Sequence, residues 1–196
     1  MRYLKRFNES KEDIDSICRK YSIVNYNINK DGLVDVEGDV DLYNKGLTKL
    51  PLKFGYVSGY FNCNNNQLTS LEGSPQSVGE DFYCISNQLT SLKGGPQSVG
   101  GYFECRRNKL TSLEGSPKSV GSEFYCSENE LTSLEGCTEN IAGSFNCDGN
   151  PIYKWWEMVG DKSKIEIFNY LDINSEYPDE ENEIKIKEII DYDKEV

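Results

Sequence analysis

The sequence predicts an α/β repeat solenoid, in which short parallel strands from successive copies of one motif stack into a sheet. The main observation is that three residue types recur every 21 residues through 61–150. They are Phe61, Phe82, Phe103, Phe124 and Phe145; Cys63, Cys84, Cys105, Cys126 and Cys147; and Asn66, Asn87, Asn108, Asn129 and Asn150. Repetition at a fixed period of this length is typical of solenoids, in which each repeat forms one turn.

Each copy is predicted to contain a short strand, a turn and a return segment. Phe and Cys two residues apart point to the same side of an extended chain, so both are expected to face the core. The Asn comes where the strand ends, and its amide is expected to bond main-chain groups of the turn and of the next copy. Leu68 and Leu71 and their equivalents fill the interior. The return segments are too short for an α-helix, and we expect turns or 3₁₀ segments there.

The pattern Phe-x-Cys-x-x-Asn-x-Leu-x-x-Leu resembles the L-x-L-x-x-N-x-L-x-x-L motif of leucine-rich repeats, with Phe and Cys at the two strand positions. Its shortness resembles the bacterial type. The flanking segments, from MRYLKRF at the start to NPIYKWW after the repeats, are similar to small leucine-rich-repeat proteins of tailed phages. The resemblance covers nearly the whole chain. It implies a parallel sheet on the concave side and a phage accessory protein, with no particular activity.

Residues 1–39 are predicted to cap the N-terminal end, because a stack of repeats exposes core at its ends. Residues 1–7 either fold back onto this cap or dock on another protein. A helix is expected from Ser10, with apolar residues on one face. These residues are Ile14, Ile17, Cys18 and Tyr21.

The solenoid itself is predicted to span residues 40–150. A hairpin over 22–36, turning at Asp31-Gly32, leads into it. Val40 and Leu42 then occupy the Phe and Cys positions of a first, divergent copy, in which Lys45 replaces the repeated Asn.

Residues 151–196 are predicted to form a helical cap and an acidic tail. Pro151 suits the first turn of a helix, in which Trp155 and Trp156 would help to cover the open end. A second helix is expected over 161–172, whereas 184–192 fits a helix or a strand. Residues 161–196 contain twelve acidic and five basic side chains, which favours either a solvated tail or an interaction tail.

The composition argues against several classes of function. The formal net charge of −12 disfavours direct binding to nucleic acid or to anionic membranes. The chain lacks His, the commonest general base and metal ligand, and no residue pattern predicts a catalytic, cofactor or metal site. No apolar stretch is long enough to cross a bilayer, and we expect no signal peptide with an apolar centre.

The cysteines favour a reducing compartment. The chain has seven, an odd number, and five of them lie in register where they cannot pair as a disulfide framework. We therefore expect reduced, buried thiols that pack as small apolar side chains. Zinc is the alternative, but it needs four converging ligands, whereas one Cys per copy gives a row.

The candidate functional site is the concave face, built from strand residues that alternate with the buried Phe and Cys. The predicted protein-binding residues are Tyr60, Asn62, Asp81, Tyr83, Ile85, Tyr102, Glu104, Arg106, Glu123 and Tyr125. These positions vary between copies while core positions barely change, which favours a binding surface on a fixed scaffold. The alternative is that exposed strand positions simply prefer Tyr for its β-propensity.

We therefore expect a non-catalytic, monomeric scaffold that binds a protein partner in the cytoplasm of a bacterial host. We expect no cofactor, no direct contact with nucleic acid and no membrane. Two alternatives stay open. The protein could be a virion component docked through residues 1–7, or an acidic mimic that inhibits a nucleic-acid-binding or defence protein.

Overall fold

The computed structural model describes residues 11–138 and 140–152, which form a β-solenoid of about five turns with little helix. The elements of the first part are α1 (Lys11–Lys20), β1 (Tyr26–Ile28), β2 (Val34–Val36), β3 (Val40–Asp41), β4 (Phe54–Val57) and β5 (Phe61–Asn62). Those of the second are β6 (Ser77–Val78), β7 (Phe82–Tyr83), β8 (Ser98–Val99), β9 (Phe103–Glu104), β10 (Ser119–Val120), β11 (Phe124–Tyr125) and β12 (Phe145–Asn146). The strands form two six-stranded sheets.

The first sheet, which we call the Phe-Cys sheet, has the strand order β12-β11-β9-β7-β5-β3. All its pairs are parallel, and each strand is offset from its neighbour by 21 residues, so that Phe61 pairs with Phe82 and Phe82 with Phe103. The Phe rings form a continuous buried column with centroids 4.9–5.5 Å apart. The predicted stacking of parallel strands from successive repeats is confirmed.

The return segments differ from the prediction, because they contain strands rather than only turns or 3₁₀ segments. Their Ser-Val pairs form β6, β8 and β10, which extend β1, β2 and β4 into a second sheet, the Ser-Val sheet. Each return segment lies beside its equivalent one turn away, so its main-chain groups pair there; the Gln97 N–H donates to the Gln76 carbonyl over 2.7 Å. A two-residue strand is too short to show the alternation by which strands are recognised.

The N-terminal elements were largely predicted. Helix α1 buries Ile14 and Cys18 against the core. Strands β1 and β2 form the predicted antiparallel hairpin, and Gly32 in its turn has φ +77°. The hairpin also joins the solenoid directly, because β2 pairs in parallel with β4 and so begins the Ser-Val sheet.

The repeated Asn side chains bond the main chain of two turns at once. In the central turn, Asn108 Nδ2 donates to the carbonyls of Cys84 and Cys105, both at 3.0 Å, and Oδ1 accepts from the Leu89 N–H at 3.0 Å. The corresponding Asn in the other turns repeats this pattern. The second turn is the preceding copy, whereas the sequence analysis expected the next one. At the equivalent position of the first turn, the Lys45 N–H donates to Asn66 Oδ1 at 3.1 Å.

Six of the seven cysteines are buried and all seven are free, with Cys137 partly exposed. Burial raises the pKa of Cys63 and Cys147 to about 12 and also raises the pKa of Cys84, Cys105 and Cys126. The thiolate is the reactive form of cysteine, so these side chains are both shielded and un-ionised at neutral pH.

We expect one fast-reacting thiol per native chain at about pH 8, namely Cys137, because the other six are buried with little thiolate. Colorimetric thiol titration, with and without denaturant, measures this. The substitution Cys137→Ser should remove the fast phase. Rapid native labelling of Cys84, Cys105 and Cys126 would contradict the register of the Phe-Cys sheet.

The C-terminal cap lies almost entirely outside the described residues, as do residues 1–7 and the acidic tail. The segments around Trp155 and Trp156, 161–172 and 184–192 therefore stay predictions. Ile152 is described: it is fully buried, and its N–H donates to the Leu131 carbonyl at 2.9 Å.

Candidate protein-binding face

The candidate site is the outward side of the Phe-Cys sheet, which we call the Phe-Cys face. It consists of three positions per turn, alternating with the buried side chains. Turn by turn these are Asp39, Asp41, Tyr43; Tyr60, Asn62, Asn64; Asp81, Tyr83, Ile85; Tyr102, Glu104, Arg106; Glu123, Tyr125, Ser127; and Ser144, Asn146, Asp148. Because the strands are in register, equivalent positions form three columns along the solenoid.

Asp81 fixes two neighbouring residues of the face. Its Oδ2 accepts a hydrogen bond from the Tyr83 hydroxyl at 2.8 Å, and its Oδ1 accepts from the Tyr102 N–H in the next turn at 2.7 Å. Tyr83 is half-buried, and burial together with the bond to Asp81 raises the pKa of its hydroxyl well above the usual value. Tyr83 is therefore held in place, with less exposed area than the sequence analysis expected.

The close approach of Asp81 to the next turn depends on Gly101. A Cβ at Gly101 would lie 2.1 Å from Asp81 Oδ1, a contact no side chain can make. The same arrangement recurs at Asp39 with Gly59 and at Asp35 with Gly55, where the carboxylates accept from the N–H groups of the following Tyr60 and Tyr56. An Asp followed 20 residues later by Gly-Tyr is thus a sequence feature that could have located these contacts.

Tyr102, Tyr125, Glu104 and Arg106 form a connected group on the face. The Tyr102 and Tyr125 rings are stacked, with centroids 6.3 Å apart. The Arg106 guanidinium lies 5.7 Å from the Tyr125 ring centre and forms a salt bridge of 2.7 Å with Glu104. Tyr102 is 37% exposed and is the outermost ring of the group. The group is an aromatic platform whose one cation, Arg106, is already paired with Glu104.

The remaining predicted residues flank this platform. Asn64 Oδ1 accepts from the Ile85 N–H at 2.6 Å, and Asn62 Oδ1 accepts from the Asn64 N–H at 3.1 Å. Glu123 accepts a hydrogen bond from the Ser122 hydroxyl. Tyr60 lies near two acids: burial first, and then Asp39 and Asp41, raise the pKa of its hydroxyl.

Asp39, Asp41 and Tyr43 extend the face by one turn, and they are not among the site residues predicted from the sequence. Strand β3 pairs with β5 in the same register as the later strands, so its outward residues continue the three columns. All three side chains are exposed. They could have been found from the sequence, because Val40 and Leu42 were already predicted to occupy the Phe and Cys positions of this turn.

Two other kinds of site are absent from the part of the chain that the structure describes. Within 11–138 and 140–152 there is no group of three or more Cys, Asp or Glu placed to hold a metal ion. Among the same residues no helix is long and apolar enough to cross a membrane. No protein-family model, no curated protein and no solved structure matches the chain.

Proposed function

We propose that this protein is a non-catalytic scaffold that holds a partner protein on the Phe-Cys face. The observation that carries the proposal is the stacked pair Tyr102 and Tyr125, which is supported from below by a fully buried column of Phe and Cys. Aromatic side chains that are already fixed lose little conformational entropy on binding, and Tyr and Arg are enriched among residues that dominate binding energy.

Membership of the leucine-rich-repeat class is part of this proposal. It is supported by the Asn side chains that bond consecutive turns and by the fully buried Leu68 and Leu71 behind them. A phage accessory role in a bacterial cytoplasm rests on the resemblance of the flanking segments. The alternative role as a virion component rests on residues 1–7, which lie outside the described part of the chain.

The substitution Tyr102→Ala should weaken capture of the partner, because it removes the outermost ring of the platform. Loss of a dominant aromatic typically costs about 2 kcal/mol, or about 30-fold in Kd. The measurement is quantitative mass spectrometry of proteins retained from bacterial lysate by the immobilised full chain. We expect the melting temperature to change little, since Tyr102 is substantially exposed and its bond to Asp81 uses the main chain.

Tyr56→Ala is the matched control. Tyr56 is 44% exposed, follows a glycine and donates its N–H to Asp35, as Tyr102 does to Asp81, but it lies on the Ser-Val sheet. The control should retain the partner. Equal capture by the wild type and by Tyr102→Ala combined with Tyr125→Ala would disprove binding through the Phe-Cys face.

A further inference from the structure

The negative charge of the described chain is concentrated on the Phe-Cys face. Residues 11–138 and 140–152 contain eighteen carboxylate and twelve basic side chains, a net charge of −6. The face holds six of these acids but one base, Arg106, so its net charge is −5 and the rest of the described surface is nearly balanced. The six acids are Asp39, Asp41, Asp81, Glu104, Glu123 and Asp148.

Four of these carboxylates have no basic partner within the described residues. Asp81 is occupied by two hydrogen-bond donors and Glu104 by Arg106. The described salt bridges are those of Lys93 with Glu114, Arg106 with Glu104 and Arg107 with Glu128, and none involves Asp39, Asp41, Glu123 or Asp148. These four can accept further hydrogen bonds from a cation without breaking an ion pair between described residues.

Arg106 shows how the face accommodates a cationic side chain. Its guanidinium bonds to Glu104 while lying over the Tyr125 ring, so carboxylate and aromatic ring act together. Tyr102 lies beside Glu123, and Tyr60 lies beside Asp39 and Asp41. Each pairing again combines a ring with an acid, and none of these acids forms an ion pair with a basic residue of 11–138 or 140–152. The face therefore offers two further positions of the same chemistry.

From this charge complementarity we infer that the partner presents an extended, Lys/Arg-rich segment to the Phe-Cys face. The inference rests on the proposed function and specifies its partner. Six strands at roughly 4.8 Å give a face about 24 Å long, which an extended segment of about seven residues would cover. A nucleic acid or a second copy of this acidic chain would instead be repelled.

The probe is a fluorescent octapeptide of alternating Arg and Ser, which in an extended conformation presents all four Arg on one side. Its affinity for the full chain is measured by fluorescence anisotropy at about 50 mM and about 300 mM salt. Octapeptides with Gln or Glu in place of Arg are the controls. We expect binding of the Arg peptide, weakened about tenfold or more at the higher salt, and no binding of either control peptide.

Two variants with equal net charge locate the binding. The first carries Asp39→Asn, Asp41→Asn, Glu123→Gln and Asp148→Asn, which keep side-chain acceptor oxygens for the local hydrogen bonds. The second removes four exposed acids elsewhere through Glu37→Gln, Glu72→Gln, Glu130→Gln and Glu135→Gln. We expect the first to weaken binding about tenfold or more and the second to stay within about twofold. Melting curves establish that both variants are folded.

The inference is overturned if the wild type does not bind the Arg peptide, or if the two variants weaken binding equally. It is also overturned if the peptide with Glu binds as well as the one with Arg. These results do not affect the proposed function, which fails separately if Tyr102→Ala and Tyr125→Ala leave capture from lysate unchanged. One further outcome separates the two proposals. If capture of the partner depends on Tyr102 but is unaffected by high salt and by the first variant, the proposed function stands and the inference of a Lys/Arg-rich segment is refuted.

Discussion

Replacing Gly100 by Ser is expected to lower the free energy of unfolding by about 3 kcal/mol or more, at the upper end of what overpacking of a folded chain costs. A Cβ at Gly100 would lie 2.0 Å from the main-chain oxygen of Gly79 in the preceding turn. The atom it meets belongs to the backbone of another turn, so neither a rotamer change nor a local shift relieves the contact. Gly100 does not have a positive φ, so the effect is purely steric.

The position is part of a column, because Gly121 approaches Gly100 in the same way and at the same distance. A displaced turn at residue 100 would therefore disturb the pairing of β6, β8 and β10 on both sides. For a chain of this length, about 3 kcal/mol corresponds to a fall of about 6–12 °C in melting temperature. Thermal unfolding followed by circular dichroism measures it directly.

Gly95→Ser is the matched control, since it makes the same substitution five residues earlier. Ser74 and Ser116 already occupy the equivalent position in the neighbouring turns, and Gly95 also lacks a positive φ. A Cβ at Gly95 would lie 2.9 Å from the Leu92 oxygen of its own turn and 3.1 Å from Leu71 Cδ1, and Ser116 at the equivalent position donates its hydroxyl to the Leu113 carbonyl. We therefore expect this variant to lower the free energy of unfolding by less than about 1 kcal/mol, clearly less than Gly100→Ser. Equal melting temperatures for the two Ser variants would show that the turns are not packed as closely as the structure has them.

The second large effect is expected for Asn108→Ala, which should cost about 2–4 kcal/mol. The substitution leaves the Leu89 N–H without its acceptor and removes the amide donor shared by the Cys84 and Cys105 carbonyls, all in the buried interior. A buried polar group that loses its partner costs about 1–3 kcal/mol, and water cannot replace the amide here without opening the turn.

Asn27→Ala provides the comparison, because Asn27 lies on β1 with an exposed side chain. Urea unfolding of both variants measures the change in the free energy of unfolding, provided that the slope m is the same as in the wild type. Asn108→Ala should shift the midpoint clearly to lower urea, whereas Asn27→Ala should leave it nearly unchanged. An unshifted midpoint for Asn108→Ala would remove the structural role assigned to this side chain.

The Phe-Cys sheet could be predicted from sequence because its determinants repeat. Phe, Cys and Asn at a constant spacing specify both the register and the inward direction of each side chain, and Phe82 pairs with Phe103 as that spacing requires. The hairpin was also predictable, since Asp31-Gly32 in its turn has a strong local preference. In these places local preference and long-range pairing agree.

The Ser-Val sheet and the details of the face could not be predicted in the same way. Strands such as Ser98–Val99 exist only because their equivalents lie one turn away, and a two-residue segment has no preference of its own. On the face, the bond from the Tyr102 N–H to Asp81 depends on the missing side chain of Gly101. Contacts between variable residues of different copies depend on the distances between neighbouring turns, and a repeat pattern does not specify these distances.

The 21-residue offset that internal turns share in both sheets also has a genetic consequence. Each internal turn contacts the turns before and after it through the same pairings, so the gain or loss of one 21-codon unit restores every register on either side. Unequal recombination between these near-identical units would change the number of turns while leaving the ends of the chain intact. A gene that changes in this way can lengthen or shorten the outward surface of the protein by one turn at a time. The three outward positions of a new turn can then vary without altering the buried residues.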